Sequence, residues 1–410
     1  MHQFKQLSST LKARIFCDFI FTVTSSAILP FMALYLTTMV NAVFAGTFLI
    51  TTIIAGFFLA FLGGYISDHF ERKKTISWIH LVLVIALLVM LLTINQHQLG
   101  LVLFCIAFFV YELLMSLESP VFEAAIMDAI PIDLRDYIFR LFYWISNVAM
   151  ALGMLLGALL YEEHRHLLLG LLLVSTLLSW GAFIFFYDVQ QKYAAHHDSL
   201  DSVVKKFAKG YLNVFKDKSY MMLMIGFAFV FMAEASLDSY VIVRLKETFV
   251  PVEILGIEIS SVRIFTMIMI VNTITVVLLT FKVNAWVERY SKRGIFIAGI
   301  ILYTAGYAWL TSSNDLLWIL VFAFIATLGE LVYSPIYNAE RFKMTPEDQR
   351  GVYASVSGLS IRSANILARF GLILGAFLTP WMMSVFTGVV VLIGFIFMYI
   401  VLFQKQAAKQ

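Results

Sequence analysis

The sequence predicts an all-α membrane protein with twelve transmembrane helices in two pseudo-symmetric six-helix bundles. Three observations lead there: an excess of apolar residues, bilayer-length apolar stretches in two sets of six, and a repeat that relates the sets. Of the 410 residues, 61% are hydrophobic and 13% charged, whereas a soluble domain carries about 45–50% and about 25%. Too little charge remains to cover a water-facing surface of that size. At about 20–25 residues per crossing, twelve helices use about 240–300 residues and leave the rest for loops and ends.

Span 1 covers residues 13–39 and follows a polar start, Met1–Arg14, without a small-residue cleavage pattern, so it reads as a retained helix. Spans 2 to 6 follow at 43–66, 76–94, 99–130, 137–161 and 167–187. The long polar segment Asp188–Lys218 comes next, with Lys192, Lys205, Lys206, Lys209, Lys216 and Lys218. Spans 7 to 12 lie at 219–247, 258–285, 294–312, 316–344, 351–380 and 382–403. The expected organisation is therefore a bundle over residues 1–187, a cytoplasmic basic linker over 188–218 and a second bundle over 219–410.

Lys and Arg placement orients the chain, because cytoplasmic loops carry the excess. With the N-terminus inside, 21 of the 29 fall in cytoplasmic segments, one (Arg165) in an outer loop, and seven within or beside helices. Both termini are expected in the cytoplasm of a multi-pass cell-membrane protein, most simply a bacterial plasma membrane. Cys17 and Cys105 both sit in apolar stretches and offer neither a disulfide framework nor a metal site.

The halves repeat. A shift of 215 residues lays Ser119-Pro120 on Ser334-Pro335, Phe122 on Tyr337, Ala124 on Ala339, Pro131 on Pro346, Asp133 on Asp348 and Arg135 on Arg350. A shift of 220 pairs Asp68, Phe70, Arg72 and Lys73 with Glu288, Tyr290, Lys292 and Arg293, and one of 218 pairs Gly153 and Gly157 with Gly371 and Gly375. Parallel repeats of this kind build carriers whose substrate site lies between the halves near the bilayer midplane.

Between spans 2 and 3 runs Gly64-Tyr65-Ile66-Ser67-Asp68-His69-Phe70-Glu71-Arg72-Lys73. Gly63 and Gly64 remove side chains where helices approach closely, and Asp68 can meet helix-terminal N–H groups or Arg72. Such contacts can hold a cytoplasmic gate shut, although an ordinary polar turn with positive-inside charge would look similar. Gly153-x-x-x-Gly157 in span 5 is a packing motif for closely apposed helices.

Carboxylates at membrane depth form the second signal. Burial raises a carboxylic acid's pKa, so such a group can carry a proton and release it when water arrives. In span 4, Glu112, Ser116, Ser119 and Glu123 are spaced to share a face, with Glu118 and Asp128 directed elsewhere. Glu234 and Asp238 in span 7 lie four apart, as neighbours on a face. Glu330, Ser334, Tyr337 and Arg341 form a stripe in span 10, where Glu330 sits mid-span with no basic residue within a turn. Glu112, Glu123, Glu234, Asp238, Asp128 and Glu330 are the candidate proton and substrate residues, with Glu330 foremost. Asp128 lies near its helix end and could instead be solvated. Some of the acids are expected to pair with Arg140, Arg263 or Arg362. Asp18, four residues from Arg14, is expected to snorkel to the interface.

The Gly64–Lys73 segment resembles the G-x-x-x-D-R-x-G-R-K signature of the major facilitator superfamily. The Leu328–Tyr333 stretch with Pro335, the Asp128-Ala129 pair, and Tyr143-Trp144 with Asn147 resemble its twelve-span drug:proton antiporter branch. The resemblance implies the major facilitator fold and gives Asp68 and Arg72 a gating role that stabilises an outward-facing state. His69 and Glu71 depart from the pattern's Arg and Gly. In span 5 the branch's membrane-embedded acid is replaced by Phe142, and its Gly-Pro pair is absent. Glu118, Glu123 and Glu234 are the candidates to take over that acid's part.

The sequence-level expectation is a secondary transporter, not an enzyme. It would export lipophilic, cationic or zwitterionic compounds in exchange for protons, with multidrug efflux and antibiotic resistance as the consequence. The alternatives are a proton-coupled importer of a metabolite or peptide, a lipid flippase, or a non-transporting sensor on the same fold. Expected partners are lipophilic small molecules, protons and membrane lipids, with no nucleic acid, no cofactor and a single chain sufficing. No G-x-x-x-x-G-K-[ST] loop for ATP and no Ser-His-Asp or metal-ligand cluster is present in the sequence.

Overall fold

A computed structural model describes residues 9–130, 135–186, 211–254, 256–287, 289–346 and 350–404. The polar linker and the ends of the chain lie largely outside these residues. So do the side chains of Asp68, Glu123, Asp128 and Arg140, and Asp133, Glu288 and Asp348.

The helices run in chain order as α1 (Ser9–Ile28), α2 (Met32–Met39), α3 (Ala42–His69), α4 (Arg72–Thr93), α5 (Leu99–Ala129), α6 (Arg135–Leu160) and α7 (Arg165–Phe186). They continue as α8 (Lys218–Ala235), α9 (Ile242–Thr248), α10 (Ser261–Val287), α11 (Lys292–Leu310), α12 (Leu316–Lys343), α13 (Arg350–Gly375) and α14 (Pro380–Tyr399). The first crossing, Leu11–Met39, contains α1 and α2 joined through a 3-10 turn, Leu29–Phe31, at Pro30, which lacks the backbone donor an α-helix needs. The seventh, Lys218–Thr248, contains α8 and α9.

Among the described residues, ten of the twelve crossings are long and apolar enough to span a bilayer by length and composition. The other two, α6 and α13, are both 26-residue helices and occupy equivalent places in the repeat. Arg362 and Arg369 lie on α13, and the described apolar part of α6 is Trp144–Leu160.

A two-stranded antiparallel hairpin, β1 (Val252–Ile254) and β2 (Ile257–Ile259), follows α9 and turns at Gly256, φ 78°. The sequence places residues 258 and 259 in span 8. Alternation in Val252-Glu253-Ile254 and Ile257-Glu258-Ile259 instead makes a strand pair with Glu253 opposite Glu258.

The chain forms two compact units, one from Met1–Met32 with Thr51–Leu200, the other from Ala33–Ile50 with Asp201–Gln410. In the first unit α6 lies against α1 through Gly153 and Gly157. A Cβ on Gly153 would collide with the Val23 carbonyl and come 2.8 Å from Ser26 Cβ; on Gly157 it would meet the Ala27 carbonyl at 2.6 Å. Thr24 and Ser175 share a 2.7 Å hydrogen bond between α1 and α7. The second unit uses the same device at other pairs. Gly226 of α8 and Gly394 of α14 back onto each other's carbonyls, and Gly299, Gly306 and Gly329 bring α11 and α12 together. Side chains cap four helix starts here: Asp217 on α8, Ser291 on α11, Asp315 on α12 and Thr379 on α14. Arg244 of α9 is buried and donates to the carbonyls of Leu310 (3.3 Å) and Ser313 (2.7 Å), closing the end of α11.

Candidate functional site

In the second unit the close approach of α11 and α12 creates a cage. Gly329 packs against the backbone of Gly299 and Tyr303, and Gly306 against Ala326, so nothing larger than hydrogen separates the helices at these points. Glu330, the next residue after Gly329, therefore stands beside the tyrosines of α11. Tyr303 and Tyr307 are buried, as is Tyr333 one turn along α12. The Tyr303 and Tyr333 rings meet edge-on at 5.3 Å, and Tyr303 and Tyr307 at 4.6 Å. Glu234, from the last turn of α8, lies near enough to Glu330 for the two charges to act on each other, and both act on all three tyrosines.

Asn272 of α10 lies beside the Glu330 carboxyl and donates to Thr327 Oγ1 at 3.2 Å. The Tyr303 hydroxyl is committed to the Val230 carbonyl at 3.2 Å. Glu330 Oε2 is buried and has no hydrogen-bond partner among the described residues. The cage thus presents two carboxyls, an amide and aromatic walls, with no Lys or Arg among the groups that act on Glu234 or Glu330. Such a site favours a positive guest, through charge and through ring faces.

Asp238 does not share this cage. Residues Leu237–Val241 form a π-helical turn, with the Val241 N–H reaching back five residues to the Ser236 carbonyl at 3.0 Å. Ser236 Oγ donates to the Ala233 carbonyl at 2.6 Å, and Ser239 Oγ shares the carbonyls of Ala235 and Ser236, both at 3.3 Å. These hydroxyls compete with the regular helix ladder and admit the wider turn. Four residues no longer return to the same face, so Glu234 turns to Glu330 while Asp238 turns to Arg369 of α13. The guanidinium grips that carboxylate at 2.7 and 3.0 Å. Arg369, which the sequence reading did not name, is its partner; Arg263 donates to the Glu258 carbonyl, and the Arg140 side chain lies outside the described residues.

The face α5 turns inward in the first unit carries Met115, Glu118, Ser119 and Phe122, and with α1, α4 and α7 it lines a cavity of 310 Å³. Of the described members of the predicted stripe, Ser119 lines this space, while Glu112 is half-buried and acts on Tyr111; the Glu123 side chain lies outside the described residues. Glu118 is buried and lies 3.2 Å from His80 Nδ1. Asp18, expected at the interface, instead pairs with Arg14 Nε at 2.6 Å and lines the same cavity. Sequence reasoning passed over His80, although a lone histidine in the apolar run Ile76–Leu92 was a signal.

α4 begins at Arg72, whose Nε donates to both the backbone oxygen and Oγ of buried Ser67 at 3.2 Å. Lys74 pairs with Glu71 at 2.7 Å. Gly63, not Gly64, is the point of close approach. A Cβ there would run into the Leu117 carbonyl and come 2.8 Å from Pro120, whereas one on Gly64 meets nothing within 4 Å. In the second unit Lys292 stands 4.0 Å from Glu340, which Lys343 also holds at 2.7 Å. Arg341 donates to Ser357 Oγ at 2.7 Å, and Tyr337 stacks on Phe227 at 4.4 Å.

The sequence profile of the Major Facilitator Superfamily matches residues 15–368. A protein of Planococcus maritimus named "Na(+), Li(+), K(+)/H(+) antiporter" is 25% identical over 411 aligned positions, covering 96% of each chain. An "Uncharacterized MFS-type transporter YqjV" of Bacillus subtilis (strain 168) is 22% identical over 351, covering 82% of this chain and 79% of its own. Among solved structures, a peptide transporter POT in complex with sulfate superposes with TM-score 0.70 at 16% identity, covering 96% of this chain and 94% of that one. The nucleoside transporter NupG gives TM-score 0.70 at 13% identity, covering 95% and 99%.

Proposed function

Because the chain belongs to the major facilitator superfamily and so is a multi-pass secondary transporter, we propose that it exports lipophilic cations or zwitterions from the cytoplasm in exchange for protons. The observation that carries this reading is the Glu234–Glu330 pair enclosed by Tyr303, Tyr307 and Tyr333. A guest cation and protons compete for the same two carboxyls. With the cation bound, its charge offsets theirs and the tyrosine rings accept its apolar body. When protons arrive from the side of higher concentration, they neutralise the carboxyls, the electrostatic hold on the cation disappears, and it leaves. Alternating access keeps the two events on opposite sides of the membrane. Asp68 and Arg72 serve the gate and do not touch cargo.

The charge asymmetry of the sequence supports cytoplasmic termini in a bacterial plasma membrane, and a monomer is the proposed working form.

A second reading is exchange of an alkali cation for protons. It is favoured by the oxygen-only donor set of two carboxyls, the Asn272 amide and the Thr327 hydroxyl, since hard cations take oxygen ligands. The name of the Planococcus relative points the same way.

Everted membrane vesicles with an imposed pH gradient test the proposal. Gradient-driven uptake of ethidium that is abolished by an uncoupler and by Glu330→Gln is the expected result. Sodium or potassium exchange without dye uptake selects the second reading. Uptake of a dye panel independent of the gradient, or dye movement in the opposite sense, overturns both export readings in favour of import or lipid flipping.

A further inference from the structure

The exchange site proposed above leaves the charged cluster of the first unit unused. Its members come from three helices: Arg14 and Asp18 from α1, His80 from α4 and Glu118 from α5. Arg14 meets Asp18 at 2.6 Å and lays its guanidinium over the Phe122 ring at 3.3 Å, so one cation and one anion cancel locally. His80 and Glu118, 4% and 7% exposed, form the other pair. We propose that His80 and Glu118 hold one exchangeable proton between them, a coupling site in the first unit separate from the carboxyl pair of the second.

Charge counting within the cavity supports one proton. With Arg14 and Asp18 both ionised, neutral His80 beside ionised Glu118 leaves the cluster one negative charge out of balance. A single added proton makes it neutral, whether imidazolium faces carboxylate or imidazole faces carboxylic acid. The neutral form is the one a low-dielectric surrounding tolerates, and the proton leaves only when water enters to carry the exposed charge.

The geometry says where that proton resides. His80 Nδ1 lies between two acceptors, the Ile76 carbonyl at 3.1 Å and Glu118 Oε1 at 3.2 Å. A carbonyl can only accept, so Nδ1 keeps a hydrogen that the Ile76 carbonyl and Glu118 Oε1 share, and the added proton makes the pair either imidazolium with carboxylate or imidazole with carboxylic acid.

A path for water exists beside the pair. The 310 Å³ cavity is lined by Ser119, Thr176 and Ser179 as well as the four charged residues, which gives space and polar partners for several waters. Among the described residues, the remaining ionisable groups nearby are few. Cys17 of α1 points to the Leu178 carbonyl at 3.8 Å, and Tyr111 of α5 acts on both Glu112 and Glu118. Among the described residues, α7 contributes only hydroxyls, and Arg14 is the one basic residue besides His80 lining the cavity. No step makes or breaks a bond other than O–H or N–H: a hydronium in the cavity gives its proton to the pair and water later takes it away.

The inference adds a proton site to a proton-coupled carrier and does not depend on the cargo. Infrared difference spectra of the purified full-length protein in lipid nanodiscs test it, recorded from about pH 5 to about pH 9. Wild type is expected to show a protonated-carboxyl C=O band that disappears with rising pH. Glu118→Gln should remove one component of that band, the Glu234 and Glu330 carboxyls keeping theirs, and in His80→Gln that component's midpoint should move. Ethidium binding to Glu118→Gln within about twofold of wild type shows that the fold and the second-unit cage are intact. A wild-type spectrum in which Glu118 gives no pH-dependent band, or whose midpoint is unmoved by His80→Gln, overturns the proposal. Should Glu118→Gln fail to fold, nitrogen-15 spectra of wild-type histidines decide: a His80 ring signal that titrates supports the site, and one constant across the range refutes it. Absence of ethidium transport with the band present sinks the cargo reading alone.

Discussion

Arg369 holds Asp238 through two parallel hydrogen bonds, Nη1 to Oδ1 at 2.7 Å and Nη2 to Oδ2 at 3.0 Å, and so ties the π-helical turn after α8 to α13. Arg369 is 12% exposed and Asp238 34%, so the acid's water contact softens the cost of losing it. Asp238→Ala is expected to destabilise by about 1–3 kcal/mol, below the 3–5 typical of a fully buried pair, because it strands the guanidinium. The double change Asp238→Ala/Arg369→Ala should recover part of that loss. Thermal unfolding of the purified proteins measures it, and additive single effects would show that the pair is not coupled.

Neighbouring glycines near the end of α3 should respond oppositely. Gly63→Ala drives a methyl into the Leu117 backbone of α5 and is expected to cost about 1–3 kcal/mol and slow transport. Gly64→Ala meets open space within a helix and should be neutral or stabilise by about 0.5–1 kcal/mol. Equal effects at the two positions would contradict this account of the packing.

The ring and hydroxyl of Tyr307 can be separated by substitution. Tyr307→Phe keeps the ring, so ethidium affinity should change less than about threefold, while Tyr307→Leu should weaken it by about 0.5–2 kcal/mol. Equilibrium binding to the purified protein reads both. Loss of ethidium binding in Tyr307→Phe would mean that the hydroxyl, not the aromatic wall, carries recognition.

Competition fixes the sign of the pH dependence. If one proton excludes one cation, ethidium affinity should fall tenfold for each pH unit of acidification through the working range, about 1.4 kcal/mol per unit. Glu330→Gln and Glu234→Gln should each flatten that slope. A slope of the same steepness in both variants would place the competing proton elsewhere.

The crossings and the repeat were legible because bilayer thickness and charge asymmetry write themselves directly into composition. Glu330 stood out for the same reason, as an acid mid-span with no nearby base. The cage around it was less legible: Tyr303 and Tyr307 look like packing residues until Gly299, Gly306 and Gly329 bring their backbone against α12. Spacing alone misplaced Asp238, since a regular helix was assumed where Ser236 and Ser239 support a π turn. Periodicity set Glu118 apart from Ser119, whereas both line the cavity of the first unit, with Met115 and Phe122. Partners far apart in sequence, such as His80 with Glu118 and Arg14 with Phe122, leave no periodic trace.

Direct proton counting tests the central claim that cation and protons contend for Glu234 and Glu330. Ethidium is added to the solubilised protein in weakly buffered solution and the released protons are titrated. The account predicts release on binding to wild type, reduced in Glu330→Gln and absent in the Glu234→Gln/Glu330→Gln pair. Tight ethidium binding to wild type with no proton released, at a pH where transport runs, would contradict it.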